Sequence, residues 1–181
     1  MMVSLDGYFE GENHDLSWHN VDAEFNEFAV SQTKSAGTLL FGRRTYELMS
    51  GYWPSEQSRK DDPVVAGLMN TTPKIVFSRS LAKLDAIPNW ENASLMPEVS
   101  VETIRNIKQN VDKDIAIYGS NNLCVSLMEL GQVDEFRIMV NPVAIGKGTP
   151  LFFGLKKHTG FTLINTREFK SGNVLLTYAK N

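Results

Sequence analysis

Apolar residues run along this chain in short blocks, some at alternating and some at helical spacing. "MMVSL" (1–5) reads as a strand that stops at Asp6-Gly7, a strong turn signal. A polar loop carrying Trp18 follows. From Asp22 to about Lys34, the positions Phe25, Phe28, Ala29 and Gln32 fall on one helical face. "TLLFG" (38–42) predicts a buried strand, and Arg43 to about Ser50 a helix. Residues 52–62 read as a loop, after which Pro63 opens a short helix to Asn70. "KIVFS" (74–78) and the weaker "ASLM" (93–96) predict strands. Ser100 stands where a cap would, ahead of a helix with Ile104, Ile107 and Val111 on one face. "DIAIYG" (114–119) predicts a strand, with Ser120 capping a helix that ends at Gly131. "EFRIMVNPVAIG" (135–146) reads as one long strand. "FTLINTREF" and "NVLLTYAK" flank Ser171-Gly172, a hairpin signal.

Short apolar strands alternating with helices imply a largely parallel sheet covered on both faces. The closing hairpin adds antiparallel strands. The expectation is therefore an α/β sandwich, a single domain over 1–181, with one mixed sheet. The helix faces of Phe25/Phe28, Ile104/Ile107 and Leu123/Leu127 should pack on that sheet. The 181 residues suffice for one full core.

Charge and cysteine usage narrow the classes. A net charge of −3 gives no support to non-specific nucleic-acid binding. The one cysteine, Cys124, excludes an intrachain disulfide and fits a reducing cytoplasm. No apolar run approaches a membrane span, and the start lacks the regions of a signal peptide. The chain opens abruptly in a strand, so either that strand is short or residues precede Met1.

Three predicted strand exits carry glycine or polar residues: Gly42-Arg43-Arg44-Thr45, Ser78-Arg79-Ser80 and Gly119-Ser120-Asn121-Asn122. Ligands in such folds sit outside the carboxyl ends of strands. Cations at a helix start oppose the helix dipole unless an anion sits there. The plain alternative at the first exit is a solvated turn, with an arginine paired to Glu47. At the third exit it is a capped helix with no ligand. If the three strands are neighbours, the exits together describe a cofactor with a pyrophosphate and a further phosphate near Arg79, as in NADP. No G-x-G-x-x-G follows the first strand, so this is not an ordinary dinucleotide fold.

"VSLDGYFEG", "LLFGRRTYELMSGYWP", "KIVFSRSL" and "IAIYGSNNLCVSLMELGQVDEFRIMVNPVAIGKGTPLF", with the closing hairpin, occur in this order over nearly the whole chain. In this the sequence resembles the dihydrofolate-reductase-like superfamily. Within it, the chain resembles stand-alone bacterial proteins related to the reductase domain of bifunctional riboflavin-biosynthesis enzymes. The resemblance implies a mixed sheet with helices on both faces, NADPH as hydride donor, and a homodimer. By position, Gly42, Arg43, Arg44 and Thr45 match the turn that holds the adenosine-side phosphates. Ser78 and Arg79 match the exit beside the 2′-phosphate. Gly119, Ser120, Asn121, Asn122 and Leu123 match the pyrophosphate turn, with Ser120 where many relatives carry a second glycine. Ser4, Leu5, Asp6 and Gly7 match the strand exit that faces nicotinamide and substrate. In relatives the turn of Gly146, Lys147 and Gly148 lies near the substrate.

No H-x-E is paired with P-C-x-x-C, which excludes a deaminase zinc site. No other metal spacing occurs, and His14, His19 and His158 are scattered and expected at the surface. Reduction of a C=N or C=C bond also needs a proton. The candidates are Asp6, otherwise a turn former, and Asp22, in phase with the apolar face of its helix or else its N-cap. Trp18 and Trp53 flank the expected cleft, to stack a flat ring or simply to pack. The readings are an NADPH-dependent reductase of a pterin- or pyrimidine-like heterocycle, the riboflavin-pathway aminopyrimidine reductase, or a non-catalytic ligand-binding homodimer.

Overall fold

The computed structural model describes residues 1–181. In chain order the elements begin with β1 (Met2–Val3), β2 (Tyr8–Glu10) and a 3-10 turn at Glu12–His14. Then come α1 (Ala23–Ser35), β3 (Ala36–Gly42), α2 (Arg43–Tyr52), α3 (Glu56–Asp61) and α4 (Pro63–Thr71). The middle continues with β4 (Lys74–Phe77), β5 (Ala93–Met96), α5 (Val101–Gln109), β6 (Asp114–Gly119) and α6 (Asn121–Glu129). The chain ends with β7 (Glu135–Val140), β8 (Thr149–Pro150), β9 (Phe161–Glu168) and β10 (Val174–Lys180). These elements form two compact units. One holds Met1–Asn26 with Cys124–Asn181, the other Glu27–Leu123.

The second unit carries a wholly parallel sheet in the order β5-β4-β3-β6. β3 shows why: six of its seven residues are buried, so both faces are covered and no polar alternation is needed. Leu39, Phe41 and Val76 join Tyr46, Val65, Met69 and Trp90 in one apolar cluster. Phe41 and Leu39 are fully buried. Burying a side chain of that size contributes about 1.5–3 kcal/mol. Lys74 is also buried; its ammonium donates to the carbonyls of Asn70 (3.0 Å), Thr72 (2.7 Å) and Glu91 (2.9 Å) and lies over the Trp90 ring. Ser100 accepts from Thr103 N as the N-cap of α5, as its position predicts.

The first unit carries the order β1-β7-β10-β9, parallel between β1 and β7 and antiparallel elsewhere, and a β2-β8 ribbon. The hairpin turns at Gly172 (φ 88°), a left-handed position that glycine occupies without strain. Two fully buried asparagines fasten the segment ahead of α1. Asn141 Oδ1 accepts from Asn20 N (2.9 Å), and Asn173 Nδ2 donates to Asn20 O (2.7 Å).

Parallel strands under helices and a closing antiparallel hairpin agree with the sequence reading. Four points differ. The single sheet is resolved into two four-stranded sheets and a ribbon; β1 is only two residues long, and its carbonyl and amide partners are on β7. The strand from Glu135 ends at Val140, short of the expected Gly146; Asn141 N still donates to Val3 O, and Pro142 has no N–H to carry the ladder further. Residues 52–62 contain α3, whose N-cap Ser55 accepts from Ser58 N; its polar six residues lack an apolar period to announce it. Phe25 and Phe28 are half-buried, whereas Ile104, Ile107, Leu123 and Leu127 are buried.

Candidate functional site

The three exits named by the sequence belong to adjacent strands, since β4, β3 and β6 are neighbours and parallel. Their C-terminal ends therefore open on the same edge of the sheet, where α/β sheets bind ligands. The exits of β3 and β6 approach very closely. A Cβ on Gly42 would stand 2.7 Å from Ser120 Oγ and 3.2 Å from Ser120 N. A Cβ on Gly119, at φ 124°, would stand 3.0 Å from Thr45 Oγ1. Glycine suits the left-handed φ at 119, and at 42 it lets the Ser120 turn come close. The Gly119–Ser120 peptide is cis.

The β4 exit is tied to the β3 exit through Arg43. Its Nη1 donates to Ser80 Oγ (3.0 Å) while Nε donates to Glu47 Oε1 (2.8 Å). The ion pair foreseen with Glu47 thus exists, and the same guanidinium spans to the neighbouring strand's turn. Ser78 is buried; its Oγ accepts from Leu81 N (3.2 Å) and Ser80 N (3.3 Å), which curls the backbone after β4. Arg43, Arg44, Arg79 and Asn122 are exposed, and Thr45 and Ser120 half-buried. Asn121 and Leu123 are buried in the first turn of α6, and Asn121 Nδ2 meets no acceptor. Glycine cradles, exposed guanidiniums and a buried amide donor suit a dinucleotide with several phosphates.

In the first unit the candidate carboxylates are already engaged. Asp6 accepts from Gly146 N (2.7 Å) and Ile145 N (3.1 Å). The Ser4 hydroxyl first, then these amides, hold its carboxyl below the ordinary carboxylate range. Asp22 Oδ1 accepts from Phe25 N (2.8 Å), the bond of an N-cap to α1. Ser4 is buried with Oγ accepting from Tyr8 N (3.0 Å), and Leu5 is exposed. Gly146 and Lys147 are exposed, and Lys147 Nζ stands 3.9 Å from Glu12 Oε1. Both line an open depression of about 660 Å³ with Tyr8, Glu12, His14 and Thr149.

Trp53 and Trp18 each have contacts within their own unit. Trp53 Nε1 donates to Met49 Sδ, and its ring adds to the apolar cluster of the second unit. Trp18 Nε1 donates to Asp15 O (3.1 Å), and its ring meets His19 edge-on. His19 is half-buried, contrary to the expectation of a surface residue, and that burial pulls its pKa down. Ser80, part of the second exit in the sequence reading, has in Arg43 a partner that the sequence does not reveal. Two polar residues have no site role in the sequence reading. Glu10 and His14 stand four residues apart, a spacing that carried no weight outside a helix.

The model of the RibD C-terminal domain family matches residues 1–175. YyaP, an uncharacterised protein of Bacillus subtilis (strain 168), is 33% identical over all of this chain and 93% of its own. Among solved structures, a protein ascribed to riboflavin biosynthesis in Shewanella sp. PV-4 superposes with TM-score 0.75 at 20% identity, over 100% of this chain and 96% of that one. A Thermotoga maritima deaminase and 5-amino-6-(5-phosphoribosylamino)uracil reductase gives 0.68 at 15% identity, over 99% of this chain and 55% of that one. Enterococcus faecalis dihydrofolate reductase, complexed with NADP(H), gives 0.59 at 17%, over 99% and 93%. The fold is dihydrofolate-reductase-like.

Proposed function

The chain belongs to the RibD C-terminal domain family, and on that premise we propose that it is an NADPH-dependent reductase of a small planar heterocycle. The observation that carries this reading is the meeting of three strand exits on one sheet edge, glycine-tight between Gly42 and Ser120 and bridged by Arg43 to Ser80. Gly42, Thr45, Gly119, Ser120 and Asn121 would cradle the pyrophosphate with amides and hydroxyls. Arg43, Arg44, Ser78 and Arg79 would take the remaining phosphate, and Asn122 and Leu123 extend the third turn. Bound there, the cofactor supplies a hydride to a C=N or C=C bond. Ser4, Leu5, Gly146 and Lys147 are the residues of the first unit assigned to the substrate side. Asp6 acts there as a positioning residue, since a carboxyl held below its ordinary range is a poor proton donor near neutral pH.

The family favours an aminopyrimidine as the heterocycle, of the kind that names the Thermotoga reductase. Isothermal titration of wild type and alanine variants with NADPH and NADH tests the cofactor half. Losing one charged hydrogen bond costs about 1.5–3 kcal/mol, so Arg79→Ala or Arg43→Ala should weaken NADPH binding roughly tenfold to a hundredfold. The arginine that meets the 2′-phosphate shifts NADPH alone. Equal affinities for the two cofactors, unchanged in both variants, refute the assignment. Turnover with 5-amino-6-(5-phosphoribosylamino)uracil and a panel of pterins separates an enzyme from a binding protein.

A homodimer in a reducing cytoplasm completes the reading. β9 pairs with β10 along one side only, and Leu163 and Ile164 are about half exposed on it. An open edge with apolar side chains is a template for a second copy. Light scattering should give twice the chain mass at micromolar concentration; the single mass refutes the dimer.

A further inference from the structure

A reductase needs a proton as well as a hydride, and Asp6 and Asp22 are both committed to backbone amides. The depression of the first unit holds another group. His14 Nδ1 lies 2.9 Å from Glu10 Oε2, and the other oxygen of Glu10 accepts from Thr149 Oγ1 at 2.7 Å. The Glu10 side chain is 15% exposed and that of His14 52%. A sheltered carboxylate, fixed at both oxygens, therefore orients an imidazole that stands at the edge of the solvent. An exchangeable group held by a third residue in this way is the pattern of an acid–base pair.

The backbone supports the same reading. Asp15 N donates to Glu12 O (3.2 Å) and Gly11 N to Asp15 O (2.8 Å), closing a two-residue turn. Its central residues are Asn13 (φ 56°) and His14 (φ 63°). Two consecutive positive φ values mark a type I′ turn, in which Asn-Gly is the favoured pair. Histidine sits where glycine would be unstrained, and strained side chains gather at functional sites. The other groups around the depression are less suited. The Tyr8 hydroxyl donates to Gly146 O (3.4 Å), and Glu12 and Lys147 face each other, both largely exposed.

We propose that His14, oriented by Glu10, donates the proton in the reduction; this rests on the reductase reading above. The carbon of the substrate's C=N bond takes a hydride from NADPH, which is oxidised to NADP+. The nitrogen takes a proton from the imidazolium, breaking its N–H bond. The neutral ring then regains a proton from water.

His14→Gly tests this, because glycine relieves the turn while removing the ring. With the aminopyrimidine named above, single-turnover reduction should slow about a hundredfold to ten-thousandfold, with NADPH affinity and melting temperature kept or raised. Glu10→Gln should lower kcat with little change in KM. In the cofactor-free protein, the His14 ring signals, identified by their loss in H14G, should shift when the aminopyrimidine is added. An H14G rate equal to wild type, a lowered melting temperature, or ring signals that ignore the aminopyrimidine overturns the role of His14 and leaves the reductase reading standing. A wild type that reduces nothing overturns both.

Discussion

The strand exits of the second unit and the turns of the first present charged side chains of opposite sign. At the strand exits of the second, Arg43, Arg44 and Arg79 are exposed beside turns that glycine brings together. In the first, Asp6, Asp22 and Glu24 accept from backbone amides of Gly146, Phe25 and Lys170. A carboxylate near a turn is a good acceptor for amides the fold would otherwise leave unsatisfied, so the backbone recruits it. A guanidinium has no acceptor to offer those amides and turns to anionic or hydroxyl oxygens instead, as Arg43 does to Glu47 and Ser80. Acidic residues beside a turn therefore make weak catalytic candidates until their amide partners are known.

The contrast extends to glycine, and substitution can break it. A Cβ on Gly148, at φ 148°, would fall 2.0 Å from the carbonyl oxygen of Glu10, a backbone atom that cannot rotate away. Gly148→Ala should therefore destabilise the protein by more than about 3 kcal/mol in urea melts. Gly119→Ala meets the Thr45 side chain instead, so about 1–3 kcal/mol is expected, with NADPH binding lost in proportion. Equal costs for the two would mean that the strand-exit cradle is as rigid as the β2-β8 ribbon.

Lys74 sharpens the charge side of the comparison, being a cation of the second unit that is not exposed. Burial pulls its pKa down to about 8 from 10.5. Between those values the unfolded chain binds a proton that the folded chain lacks, so stability rises with pH, by on the order of 2 kcal/mol. Urea melts from pH 8 to 10.5 should show the rise in wild type and lose it in Lys74→Met. The smallest effect concerns Asp22. As a plain cap, Asp22→Ala costs about 1 kcal/mol of stability and leaves the rate of reduction unchanged. A rate loss of a hundredfold in that variant would return Asp22 to the chemistry.

Much of this protein is legible in its sequence alone. The uniform apolar run of β3 announces a strand buried on both faces, Ser100 announces its helix, and Ser171-Gly172 announces the hairpin. These signals are local: each depends on the period or the turn chemistry of a few consecutive residues. The strand exits are legible for the same reason, as glycine and polar residues that follow an apolar run. What the tertiary structure decided is non-local. Gly42 and Ser120 are far apart in sequence, and only the β3-β6 pairing brings the two turns close enough for the missing Cβ at 42 to matter. The division into two sheets rests on which strands pair, β1 with β7 and β3 with β6, and no local stretch of sequence shows that choice. Glu10 and His14 look like scattered polar residues because a pair four apart has no meaning in a loop. A left-handed turn, set by the fold around Asn13, folds the chain back and turns that spacing into a contact.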